Sequence, residues 1–146
     1  MEAWRDREMD DAGPADWKRA MTRVMEGGRV LEVAQFTYVP AAGAVLADWG
    51  ADVIKVERPG SGDYARGFGP FPKDVPHPEK SGLFLHLNTN KRGITLDLTR
   101  PEGVEVAKQL IRTSDIVIEN FTPRVIKNFG LEYKDLAHIK PDIIMV

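Results

Sequence analysis

The sequence predicts an α/β fold: a Rossmann-like, mostly parallel sheet flanked by helices. Three observations carry this. Short apolar runs of strand length recur along the chain from Arg29 onward. Between them lie segments whose apolar residues fall at helical spacing, and strand–helix alternation is the signature of a parallel sheet covered on both faces. The chain is also of ordinary globular composition, 42% hydrophobic and 29% charged over 146 residues, which suits one packed unit and excludes a disordered or collagen-like chain.

Residues 1–28 stand apart as an N-terminal extension, charged and interrupted by Gly13-Pro14. They read either as a loosely attached segment or as a short helix capped by Asp16 and carrying Trp17, Met21, Val24 and Met25. Val30 to Ala34 is the first strand, apolar enough to be buried on both faces. A loop over Gln35 to Val39 follows, with Pro40 at a first helical position. The next helix, from Ala41 to Trp49, is apolar nearly all round and is expected to be buried, with Gly50 as its stop. Asp52 to Glu57 is the second strand.

Residues 59–80 contain five prolines and four glycines and read as one long functional or mobile loop. Ile94 to Leu98 is the third strand. Thr99-Arg100-Pro101-Glu102 has capping-box spacing ahead of a helix whose buried stripe is Val104, Ala107, Leu110 and Ile111. Asp115 to Glu119 is the fourth strand. Thr122-Pro123 opens a short helix ending at Gly130, a second covers about Lys134 to Ile139, and Asp142 to Val146 is the fifth strand. A strand at the very end of the chain leaves ladder groups unpaired, so self-association or marginal stability is expected.

Several function classes are excluded or disfavoured at this level. A net charge of −2 gives no basic excess for nucleic acid. The absence of cysteine removes disulfides, thiolate metal sites and a Cys nucleophile. No apolar run approaches the roughly 18 residues of a membrane span, and the charged start lacks a signal-peptide core, which points to the cytoplasm. His77, His86 and His138 form no metal-binding or catalytic spacing, so no metal site is expected.

In open α/β sheets ligands bind beyond the carboxyl ends of the strands. Gln35-Phe36-Thr37-Tyr38, Glu57-Arg58 and Asn120-Phe121 occupy those places. The turn after the first strand has no glycine, so the backbone approach that a dinucleotide pyrophosphate requires is missing, which argues against NAD. Arg58, Arg66, Lys91 and Arg92 are either a phosphate-binding cluster or a solvated basic edge. Asn120-Phe121 is either a ligand-facing amide and aromatic or a plain turn. No carboxylate pair is spaced for acid–base catalysis.

Taken in series, Val30-Leu31-Glu32, "LADWGADVIKVERPGSGDYARG" (Leu46 to Gly67), "NTNKRGITLDLTRPEG" (Asn88 to Gly103) and "DIVIENFTP" (Asp115 to Pro123) resemble the family III CoA-transferases, with α-methylacyl-CoA racemases as relatives. The likeness covers residues 29–146, which it identifies as the N-terminal, CoA-binding part of an incomplete large domain. It implies coenzyme A or acyl-CoA as substrate, a carboxylic acid as acceptor, no tightly held cofactor, and an interlocked homodimer.

Residue by residue, the likeness places Arg58 at the phosphate or adenine side of CoA, and Leu96 and Thr99 near the adenine. Thr99 stands where a longer basic side chain is often found, a role that Arg100 then takes. Asn120 and Phe121 match the motif beside the pantetheine, and Phe36 and Thr37 match the turn facing the thioester and acyl group. Asn128 replaces an arginine common in the family, so Arg124 or Lys127 would supply that contact. The family's catalytic aspartate, which forms an aspartyl-CoA intermediate, lies beyond this chain, so no catalytic residue is assigned and the chain alone is expected to be inactive. The alternatives are a racemase-like isomerase and a non-catalytic CoA-binding or assembly module.

Overall fold

A computed structural model describes residues 24–146. The sequence-based reading of Asp16, Trp17 and Met21 lies outside the described residues. Five strands, β1 (Arg29–Val33), β2 (Asp52–Glu57), β3 (Arg92–Thr95), β4 (Ile116–Glu119) and β5 (Ile144–Met145), form one sheet. Its order is β3-β2-β1-β4-β5 and every pairing is parallel. The chain builds outward from β1 to β3, then returns to lay β4 on the other side of β1. The switch point therefore lies between β1 and β4.

Alternation along the strands separates two layers. Leu31, Val33, Ile54, Val56 and Val117 face one side. There they pack against Ala107 and Ile111 of α3 (Pro101–Arg112), Ile126 of α4 (Pro123–Phe129) and Leu136 of α5 (Tyr133–Ile139). Val30, Val53 and Ile118 face the other side, against Ala47 of α1 (Tyr38–Asp48). The same face of β1 and β2 also carries Glu32 and Lys55, both fully buried.

These buried charges form a closed set. Lys55 Nζ donates to Glu32 Oε1 at 2.8 Å and to the Ala34 carbonyl at 3.0 Å. It also makes an ion contact of 2.7 Å with Asp63 Oδ2, outside hydrogen-bond alignment. Lys91 Nζ donates to Glu32 Oε2, the Pro40 carbonyl and Asn88 Oδ1 at 2.7–2.9 Å. Two carboxylates and two ammonium groups leave the set neutral, the condition under which buried charge is tolerated.

The charged layer dictates which helix covers it. α1 approaches through Pro40, Gly43 and Ala47, small residues at i, i+3 and i+7. A Cβ at Gly43 would collide with the Glu32 carboxylate. This corrects the expectation that the helix is buried all round: Tyr38 and Val45 of the helix and Trp49 at its C-cap are exposed, while Val39 and Leu46 are only partly buried. Close approach demands the small face inward, and the bulky residues take what remains.

Further boundaries differ from expectation, β5 among them, which is confined to Ile144–Met145. α1 begins at Tyr38, so Pro40 is its third residue. β3 runs over Arg92–Thr95, two residues earlier than predicted, because Asp97 turns the chain by accepting the Thr99 amide and hydroxyl. That bond consumes the Thr99 hydroxyl, so no capping box forms and Arg100 is the N-cap of α3. The box appears instead at α5, between Glu132 and Asp135. The long loop is broken by two 3-10 turns, Tyr64–Gly67 and Pro72–Asp74. It leads into an unforeseen helix, α2 (Gly82–Asn88), capped by the buried Ser81 hydroxyl, which accepts the Phe84 amide.

At the amino ends of the strands, Asp52 accepts hydrogen bonds from Arg29 and Arg92, and Asp115 accepts the Arg29 amide. Partial burial works to raise the Asp52 carboxyl, but the Arg92 and Arg29 hydrogen bonds and charges hold it below the usual aspartate range. The Arg29 amide chiefly does the same for Asp115, aided by Lys140.

Two predictions follow from this architecture. Lys55→Met leaves Asp63 buried without a cation and should destabilise the fold by about 3–5 kcal/mol, measured as a lower urea midpoint. Depressed aspartate values mean that the unfolded state binds more protons below the ordinary carboxylate range. The stabilisation from Asp52 and Asp115 is thus complete at neutral pH and lost as pH falls through their folded values. A thermal melt should show the midpoint dropping in acid, with a shallower drop in Asp52→Asn.

Candidate functional site

The carboxyl ends of β1, β2 and β4 open onto a groove made of three adjoining depressions. Gln35 lines all three, and Arg58 lines two of them. The first, about 510 Å³, lies between Arg58, the Ser61–Tyr64 segment and the Pro76–Pro78 segment. The second, about 140 Å³, is an apolar slot between Val56, Leu96, Leu98, Phe121 and Phe129, with Arg58, Asp97 and Thr99 at its polar edge. The third, about 480 Å³, is aromatic: Phe36, Tyr64, Phe68 and Phe121, with Asn120 beside them.

The switch-point geometry is set by side chains that bond to backbone. Asn120 closes the gap between β1 and β4 by accepting the Gln35 amide at 3.1 Å and donating to the Gln35 carbonyl at 2.7 Å. One residue on, Phe36 adopts φ 74° and its amide donates to Asp63 Oδ1 at 3.0 Å. A left-handed conformation in a bulky residue costs of order 1–3 kcal/mol and persists only where the surroundings enforce it. The Phe36 ring rests on Phe68, with centroids 5.1 Å apart. Phe121 is held edge-on against Phe129, so its ring serves both the core and the groove.

Six of the eight sequence-predicted site residues line this groove: Arg58, Leu96, Thr99, Phe121, Phe36 and Asn120. Thr37 does not; it sits at the N-cap of α1 with its carbonyl accepting the Ala41 amide. Arg100 is exposed and directed to Asp97 at 3.4 Å. Asp97 itself is held below the usual aspartate range, chiefly by the Thr99 hydroxyl and amide, with Arg100 and Arg58 adding positive charge.

The basic cluster resolves into separate duties. Arg66 grips Glu57 through two hydrogen bonds, at 2.7 and 2.8 Å, and stacks 3.6 Å over the Phe84 ring. Burial works to raise the Glu57 carboxyl, but Arg66, the Asp63 amide and the Lys55 charge hold it below the usual range. Lys91 turns inward to Glu32 and Arg92 bonds Asp52. Arg58 alone of the four makes no ion pair or side-chain hydrogen bond among the described residues, and its exposed guanidinium stands over the groove.

Asp63 and Tyr64 were not singled out from sequence, because the proline-rich stretch concealed their folded position. The available signal was the charge inside two apolar strands: Glu32 and Lys55 require buried partners, and Asp63 is one of them. Among the described residues no group of His, Asp and Glu is arranged to hold a metal, and no helix is long and apolar enough to cross a membrane.

Comparison with known proteins fits this geometry. The profile of CoA-transferase family III matches residues 25–146. The chain is 45% identical over 125 residues to a formyl-CoA:oxalate CoA-transferase of Rhodopseudomonas palustris, an alignment covering 86% of this chain and 28% of the relative. It is 43% identical over 122 residues to the succinate–glutarate CoA-transferase of Agrobacterium fabrum, covering 82% and 30%. The chain thus spans under a third of the length of these relatives. Among solved structures, a CAIB/BAIF family protein from Brucella suis superimposes with a TM-score of 0.75 at 36% identity over 85% of this chain and 32% of that one. Rv3272 from Mycobacterium tuberculosis gives 0.74 at 37% identity, covering 85% and 34%. With most of its length matched by the family profile and its fold shared with these structures, this chain belongs to CoA-transferase family III.

Proposed function

We propose that this chain forms the CoA-binding part of an enzyme that moves CoA from an acyl-CoA to a carboxylic acid. The single observation that supports this most is Arg58: a guanidinium with no side-chain hydrogen bond or ion pair among the described residues, standing beside an apolar slot. Such a pairing suits a flat heterocycle in the slot and a phosphate at its edge, since Arg donates in a planar fork matched to phosphate oxygens. Leu96, Phe121 and Phe129 supply the apolar walls. The glycine-free turn at Gln35–Val39 disfavours the pyrophosphate approach of NAD.

The pantetheine and acyl ends would run from this slot past Gln35 into the aromatic depression. Transfer through an aspartyl-CoA intermediate requires a free carboxylate beside the thioester. The groove's described carboxylates are engaged: Asp63 by two backbone amides and Lys55, Asp97 by Thr99 and Arg100. In line with that, the family resemblance implies a nucleophilic aspartate outside this chain, which is expected not to turn over alone. Its thioester oxyanion would be held by backbone donors. The working enzyme is read, from the family resemblance, as a homodimer, and from the charged start and short apolar runs of the sequence as cytoplasmic.

Titration calorimetry on the chain tests the reading with CoA and NAD side by side. CoA should bind and NAD should not; tighter binding of NAD would overturn it. Arg58→Ala should weaken CoA by about 1.5–3 kcal/mol, the contribution of a hydrogen bond to a charged group.

A further inference from the structure

In the segment that joins β1 to α1, three consecutive residues, Ala34 to Phe36, are held by side chains from elsewhere in the fold. The Ala34 carbonyl accepts from Lys55, both polar groups of the Gln35 backbone pair with Asn120, and the Phe36 amide donates to Asp63. Asp63 is fully buried, and its two oxygens have different tasks. Oδ1 accepts from Phe36 and from the Ala65 amide at 2.7 Å, while Oδ2 lies 2.7 Å from the Lys55 ammonium.

We propose that Asp63, backed by Lys55, is a positioning residue for ligand: it holds Phe36 in its left-handed conformation and thereby shapes the wall of the aromatic depression. Three features support a positioning role over a purely structural one. The bond reaches across 27 residues to one amide at the ligand-facing end of β1. That amide belongs to a bulky residue whose φ of 74° is unfavourable without an anchor. The anchor also fixes the start of the Tyr64–Gly67 turn, so Tyr64 and Phe36, which line the same depression, are set by one carboxylate. Lys55 in turn ties that carboxylate to Glu32 of β1 and to Ala34 directly after it, so the wall is referenced to the sheet and not to the long loop. A preformed wall spares the ligand the cost of ordering it.

The ligand half of this inference rests on CoA binding in the groove, and the test separates the two. Asp63→Asn keeps an acceptor oxygen for Phe36 but loses the charge; Asp63→Ala loses both. Ile111→Val, in the opposite layer, is a core control that lowers stability without touching the groove. Hydrogen exchange of the Phe36 amide and CoA affinity are measured on all four proteins. In Asp63→Ala, Phe36 exchange should rise and CoA affinity fall, each about tenfold, as expected for losing a hydrogen bond to a charged acceptor. Asp63→Asn should recover part of the exchange protection, and Ile111→Val should leave both readouts at the parent level.

Unchanged Phe36 exchange in a folded Asp63 variant would overturn the positioning role. So would a Phe36 turn released with CoA affinity intact. Should Asp63→Ala fail to fold, Asp63→Asn carries the same comparison. If the parent chain binds no CoA, the CoA reading fails by itself, and Phe36 exchange still decides whether Asp63 sets the turn.

Discussion

A buried, neutral arrangement of four charges governs how this fold is assembled. Glu32 and Lys55 lie at the centre of adjacent strands, where water cannot reach them, so each must find its partners within the protein. Lys91 arrives from the end of α2 and Asp63 from the loop after β2. Segments distant in sequence are thereby committed to one place on one face of the sheet. The same requirement selects the small face of α1, because only Gly43 lets the helix lie against the Glu32 carboxylate. An apolar layer of equal volume would be no less stable in principle. What charge adds is direction, since ammonium and carboxylate groups accept few geometries.

Direction matters because the charged layer ends at the groove beyond the carboxyl ends of the strands. Lys55 and Asp63 belong both to the core and to the scaffold of the β1–α1 turn, and Asn120 completes that scaffold across the switch point. The groove is consequently built on strand ends and buried polar anchors. The strained backbone of Phe36 is the local sign of this coupling, maintained by interactions whose own stability comes from the sheet. Around it the long loop is well tied: the Ser81 hydroxyl shares its one proton between the Ala65 and Phe68 carbonyls, and Arg66 clamps Glu57 while stacking on Phe84. Arg58, one residue beyond Glu57, is left uncommitted at the rim. Internal pairing of Arg66, Lys91 and Arg92 leaves Arg58 as the unpaired member of that cluster among the described residues.

Much of this was legible in the residues themselves. Apolar runs such as Val30–Ala34 and Asp115–Glu119 identify buried parallel strands, and Gly130 marks the end of α4 in the left-handed conformation foreseen for a helix stop. Arg58, Leu96 and Phe121 follow strands whose carboxyl ends must lie together in a doubly wound sheet. Local patterns were less reliable where two local bonds compete. Thr99 has capping-box spacing, yet its hydroxyl goes to Asp97, and the Tyr38–Asp48 helix has an apolar sequence but only one buried stripe.

By itself, the sequence determined the fold class, the parallel sense of the sheet, the strand ends that open onto the groove and the absence of a glycine-rich dinucleotide turn. These are properties of periodicity and of single residues, and so are readable along the chain. Strand order, the partners of Glu32 and Lys55, the inward turn of Lys91 and the anchoring of Phe36 by Asp63 were decided only by the tertiary structure. Each depends on which distant segments meet. A buried charge announces that it needs a partner, but several carboxylates and ammonium groups are available along the chain. Only packing of the helices onto the sheet brings one set within hydrogen-bonding distance.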